Sequence, residues 1–140
     1  MANVKNYKVV GASFSNEIEY VHVRYDFAVD AGATGVLNLI TATDALILKS
    51  FHAVVKTACV GVNMVLDVGV VGVDTDLFLD GVTVTALAVN TVHSDPLIEA
   101  TPNTKNIPYF ILDAGVIAME IKTAALTAGV IDFVFGFMKT

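Results

Sequence analysis

Residues 72–81 read Gly-Val-Asp-Thr-Asp-Leu-Phe-Leu-Asp-Gly, which sets three carboxylates, Asp74, Asp76 and Asp80, within seven positions. Asp67 lies just upstream. Calcium loops present oxygen donors at alternating positions, so a cation site is the first chemistry to weigh. The EF-hand pattern also needs glycine at its sixth position and a bidentate glutamate at its twelfth. Counted from Asp74, those positions are Leu79 and Thr85, and the bulky Leu77-Phe78-Leu79 falls inside the would-be loop. A capped turn fits better. Asp74 or Thr75 would accept a backbone N–H, Asp76 would sit in the first helical turn, and the apolar residues would tuck beneath it. Asp74, Asp76 and Asp80 are thus weak metal candidates, and no cofactor is expected.

Other reactive residues group less densely. His22 and His52 fall on the polar faces of two strand-like stretches, and with Asp26 they would suit zinc only if those strands paired. Cys59, the single cysteine, lies in the apolar run 54–60. Such surroundings raise a thiol pKa, and one cysteine makes neither an internal disulfide nor a multi-cysteine zinc site. Ser13, Ser15, Ser50 and Ser94 lack the glycines of a nucleophile elbow. Asp67 and Glu120 would serve a two-carboxylate hydrolase only if the fold set them across a cleft. No glycine-rich phosphate loop opens a helix. The chain reads as a non-enzyme.

The elements that must carry these residues are strands. From Ile18 to Asp30, Val21, Val23, Tyr25, Phe27 and Val29 alternate with His22, Arg24, Asp26 and Asp30. Period two in β-branched and aromatic residues marks a half-buried strand. Further strands are predicted over 36–41, 47–58 (Ile47, Phe51, Ala53 and Val55 inward), 63–71, 107–113, 116–122 and 130–138 (Ile131, Phe133, Phe135 and Phe137 inward). Residues 82–92 suit a strand or a loose connection with one helical turn. Residues 97–101 are short, and 102–106 form a loop. Helix is expected only as single turns near 75–80 and 124–128. The whole is all-β, a sandwich of about eight strands: an irregular N-terminal arm at 1–16, then one domain over 17–140.

Composition bounds the partners. In 140 residues, 55% are hydrophobic and 16% charged, more apolar than an ordinary soluble domain. No run of about 20 apolar residues exists to make a spanning helix: 53–73 is broken by Lys56, Asn63 and Asp67. Burial of apolar surface in an assembly is therefore expected, and no membrane partner. A net charge of −6 with one arginine, Arg24, argues against nucleic acid, which needs clustered cations.

Three stretches carry a family resemblance. Val116 to Phe133 joins two alternating strands through Thr123-Ala124-Ala125-Leu126-Thr127-Ala128-Gly129; Tyr25 to Gly35 runs from strand into a glycine turn; Leu46 to Thr57 is a long strand. Their order resembles small jelly-roll capsid decoration (cement) proteins of tailed bacteriophages. The resemblance covers most of 18–138, with no counterpart for 82–106. It implies a jelly roll that forms homotrimers and binds major capsid protein on the outer capsid surface of the virion, after assembly in the host cytoplasm. Interface candidates are Tyr7, Phe14, Tyr20, His22 and Arg24, aromatic or arginine residues of the kind that anchor interfaces. The alternative is a cation- or carbohydrate-binding sandwich, tail-fibre-like or lectin-like, using the acidic stretch 72–81.

Overall fold

The computed structural model describes residues 8–10, 18–94 and 109–139. Ten strands occur among them: β1 (Lys8–Val10), β2 (Glu19–Asp26), β3 (Gly35–Ala42), β4 (Leu46–Val60), β5 (Val65–Val70), β6 (Asp74–Thr83), β7 (Val92–Ser94), β8 (Tyr109–Ile111), β9 (Val116–Lys122) and β10 (Ala128–Lys139). Sheet I has the order β1-β3-β9-β5-β6, and sheet II the order β2-β10-β4-β7, with β8 also on β4. The pairing is nested: β2 with β10, β3 with β9, β4 with β7 and β8, and β5 with β6, all antiparallel. A long hairpin rolled on itself has this connectivity, and the product is a jelly roll. Its sixth position, counted from β2, is divided, because β8 pairs with 46–48 of β4 and β7 with 52–54. The edge strand β1, within the expected arm, runs parallel to β3.

The core lies between the sheets and is strongest along β10. Ile131, Phe133, Phe135 and Phe137 all point inward and are fully buried, as their alternation with Asp132 and Gly136 requires. Phe51 of β4 stands 5.3 Å from Phe135 and 6.1 Å from Phe78 of β6, ring centre to ring centre. Phe78 therefore links sheet I to sheet II and also meets Tyr109 edge-on at 5.8 Å.

Three sequence expectations are corrected. Residues 75–80 form no helical turn; they belong to β6. Opposite β5, the register moves from Val68↔Leu79 to Val70↔Asp74, so five steps along β6 match two along β5. This bulge lets Leu77, Phe78 and Leu79 all be buried in succession. It passes so close over Gly69 that a Cβ there would strike the Asp74–Thr75 backbone. Residues 124–128 likewise form no helix: Leu126 N–H donates to Gly32 C=O and Thr127 N–H to Val60 C=O, tying this connector to neighbouring loops instead of to itself. Finally, β2 stops at Asp26, whose carboxylate caps a single helical turn, α1 (Phe27–Asp30), by accepting the Ala28 N–H at 3.0 Å. Asp30 returns the cap by accepting the Asp26 N–H. Val29 is consequently turned out to solvent, 67% exposed, and not into the core.

Two smaller differences follow from local geometry. The register with β10 slips between Gly136↔Ser50 and Phe137↔Leu48, so Leu46 and Leu48 face inward and Ile47 does not. Beyond β6, the 3₁₀ turn Val84–Ala86 realises the loose-connection reading of 82–92. Residues 97–106 lie outside the described residues.

Truncating Phe51, which joins the two sheets, is expected to cost about 3–5 kcal/mol, the usual range for a fully buried phenylalanine. Urea unfolding of Phe51→Ala against the native chain measures it; a loss below 1 kcal/mol would contradict this role.

Candidate functional site

The outer face of sheet I gathers the carboxylates. Asp67, on β5, points away from the core yet its side chain is only 1% exposed. It is satisfied there: one carboxylate oxygen accepts Gly81 N–H at 2.8 Å and the other accepts Lys122 Nζ at 2.8 Å. Gly81 can present its N–H because it adopts φ +67°, open to glycine. Lys122 is more firmly protonated than a free lysine, first through its hydrogen bond to Asp67 and then through that carboxylate's charge. Glu120 is the cross-strand neighbour of Asp67. The two acids thus lie side by side on one sheet face, not across a cleft as a hydrolase pair would.

Asp74 and Asp76 adjoin this group. Asp76 N–H reaches Asp74 Oδ1 at 3.3 Å. The Asp76 carboxyl is pushed up to about 6, chiefly by the hydrogen bond it shares with Asp74, then by partial burial and by repulsion from Asp74, Asp80 and Asp67. The residues singled out in the sequence are therefore electrostatic neighbours, although the bulged strand that holds them is not the capped turn expected. Among the described residues no group of three or more His, Cys, Asp or Glu is arranged to hold a metal. Lys122, the cation that anchors Asp67, escapes sequence reasoning because only the β5–β9 register brings it near.

The outer face of sheet II carries three of the interface candidates. Tyr20, His22 and Arg24 project from the exposed phase of β2, with Tyr20 61% exposed. Tyr20 lies against Gly136, where any added Cβ would press on its ring and on Ser50. Arg24 faces Asp132 across β2–β10 and grips it with two bonds, Nε–Oδ1 at 2.6 Å and Nη2–Oδ2 at 2.8 Å. The guanidinium holds the Asp132 carboxyl below the usual carboxylate range. His22 and His52 both stand opposite Val134, one on each side of β10. The intervening strand separates them by about two strand spacings, roughly 9.5 Å, so these strands do not pair as a shared zinc site would need. Tyr7 and Phe14 lie outside the described residues. Cys59 is buried, and burial pushes its thiol up to about 11, away from nucleophilic use.

The two faces differ in charge. Strands β3, β5, β6 and β9 of sheet I carry five carboxylates and one lysine, a net −4; the strands of sheet II carry three carboxylates and four cations, a net +1. At one end of the sandwich, Val71, Val73, Phe110 and Leu112 line an open groove of about 330 Å³; all four are exposed.

The raised Asp76 pKa has a readable consequence. A carboxyl whose folded pKa lies above its unfolded value favours folding at low pH, and that contribution is lost as pH rises through about 6. Asp76→Asn is therefore expected to stabilise the chain at pH 8 by less than about 1 kcal/mol, since the group is partly solvated, and to change little below pH 4. Melting curves at both pH values test this; an equal effect at the two would contradict it.

No protein-family model matches the chain, and no curated protein does. Among solved structures it is similar to a chain of the capsid of Ralstonia phage GP4, at 12% identity and a TM-score of 0.56, over 94% of this chain and 98% of that one. At this identity the likeness is one of fold.

Proposed function

We propose that this chain is a structural virion protein that acts by contact and not by catalysis: a decoration protein that trimerises and binds major capsid protein on the outside of a phage shell. The observation that carries the reading is the jelly roll shared, nearly end to end, with a chain of a phage capsid. A fold alone hosts many functions, so the surface must also suit the role. Large apolar side chains lie exposed at both ends of the sandwich: Val29 and Val62 at one, Val73 and Leu112 at the other, with Val62 80% exposed. A chain this apolar gains by covering them in an assembly. Sheet II, less acidic and bearing Tyr20, His22 and Arg24, is the face we assign to the shell, and acidic sheet I faces solvent. Copies repeated over a shell would add modest contacts into large total stabilisation.

The gathering of Asp67, Asp74, Asp76 and Asp80 favours a second reading, a cation-dependent binding module. Millimolar calcium would then raise the melting temperature through ligand linkage.

Light scattering of the purified chain is expected to give a trimer, and co-sedimentation is expected to show binding to assembled shells of the encoding virus but not to free capsid subunits. A monomer that ignores shells, yet is stabilised by calcium, would overturn the first reading for the second.

A further inference from the structure

Among the described residues, the parallel strand β1 makes the one pairing that the rolled hairpin does not require. It registers Lys8, Val9 and Val10 against Ile40, Thr41 and Ala42 of β3. Along the rest of that edge, Gly35 to Leu39 meets no strand among the described residues. β1 runs in the direction of β3, so its C-terminal end lies at the end of the sandwich where β3 ends. β2 starts at that same end, because Glu19 pairs with Phe137 and Lys139 of β10 pairs with Leu46, the residue that begins β4 after the short β3–β4 turn. Within one chain, the connection from β1 to β2 therefore needs to cross only about one sheet separation, roughly 10 Å. Eight residues, 11–18, are available for it. They can extend to about 26–29 Å, more than twice what the crossing takes.

The slack lets this short strand reach the same edge on an adjacent copy as well as on its own chain, and an identical element placed in this way can be exchanged between protomers. Exchange keeps every β1–β3 hydrogen bond and turns it into a bond between subunits. We infer that in the assembled protein β1 of each copy pairs with β3 of a neighbouring copy, which rests on the reading of the chain as one that self-associates. The contact joins two different surfaces, an arm on one copy and a sheet edge on the next. Such a heterologous contact closes into a ring when the rotation is right, as a trimer requires. Main-chain pairing to a sheet edge also supplies directional bonds that flat apolar contact lacks.

The double variant Val9→Cys with Thr41→Cys tests the exchange, because these residues are register partners one strand spacing apart, within disulfide reach. Cys59 is buried and does not compete. After mild oxidation of dilute protein, a non-reducing gel is expected to show covalent trimers. Each single variant should give no such species. An oxidised monomer closed on itself, or no cross-link at all, would overturn the inference. Light scattering of the same reduced sample separates the two failures: a trimer with self-closed monomers removes strand exchange alone, whereas a monomer removes self-association as well. Deleting residues 1–10 gives an independent reading, since exchange requires that the truncated chain, still folded by circular dichroism, lose at least tenfold in trimer affinity; unchanged affinity would count against it.

Discussion

Everything in this molecule depends on β10 lying between β2 and β4. The last strand of the chain pairs with the first strand of the rolled hairpin on one side and with its longest strand on the other. Its inward row, Ile131-Phe133-Phe135-Phe137, is fully buried and stacks at ring distances near 6 Å. Sheet II is not complete until β2 and β10, more than a hundred positions apart, meet. Such long-range pairing carries a large loop-closure cost before it is rewarded. The phenylalanine row is what rewards it: each ring removes apolar surface from water worth about 1.5–3 kcal/mol.

Opposite this row, sheet I is held in place by a side chain from the most acidic stretch of the sequence. Phe78 reaches Phe51 only because the bulge in β6 turns Leu77, Phe78 and Leu79 inward together. The same bulge turns Asp74 and Asp76 outward beside Asp67 and Asp80. Packing demand and carboxylate crowding are thus two consequences of one backbone irregularity. The buried Asp67 helps to fix it, since its bond to Gly81 pins the far end of the bulged strand. Crowding raises the Asp76 pKa as a by-product, without requiring a ligand.

How much of this was legible in the sequence depends on where regular alternation held. In β2 and β10, period two placed Val23, Tyr25 and the β10 phenylalanines correctly, because there the pleat presents two faces without interruption. The prediction failed where the pleat was broken. At β4 the slip near Ser50 exchanges the faces, so Ile47 was assigned inward while Leu46 and Leu48 hold that place. At β6 three successive apolar residues looked like the underside of a helix, and only the β5 register distinguishes a bulge from a turn. The turn at Phe27–Asp30 did leave a trace: Asp26 followed four residues later by Asp30 marks a reciprocal cap that period two obscured. Of the candidate site, the carboxylates were visible but their cation, Lys122, was not, and Arg24 was visible without Asp132. Pairing across strands is set by topology, which spacing along one chain does not encode.

The proposed role rests on a jelly roll with one acidic face, one nearly neutral face and apolar ends. Electron cryo-microscopy of phage particles that carry this chain tests the proposed role most directly. The expected result is density for this sandwich on the outside of the shell, in threefold clusters, with sheet II toward the capsid. Shells without that density, or the sandwich found only in the tail, would contradict it.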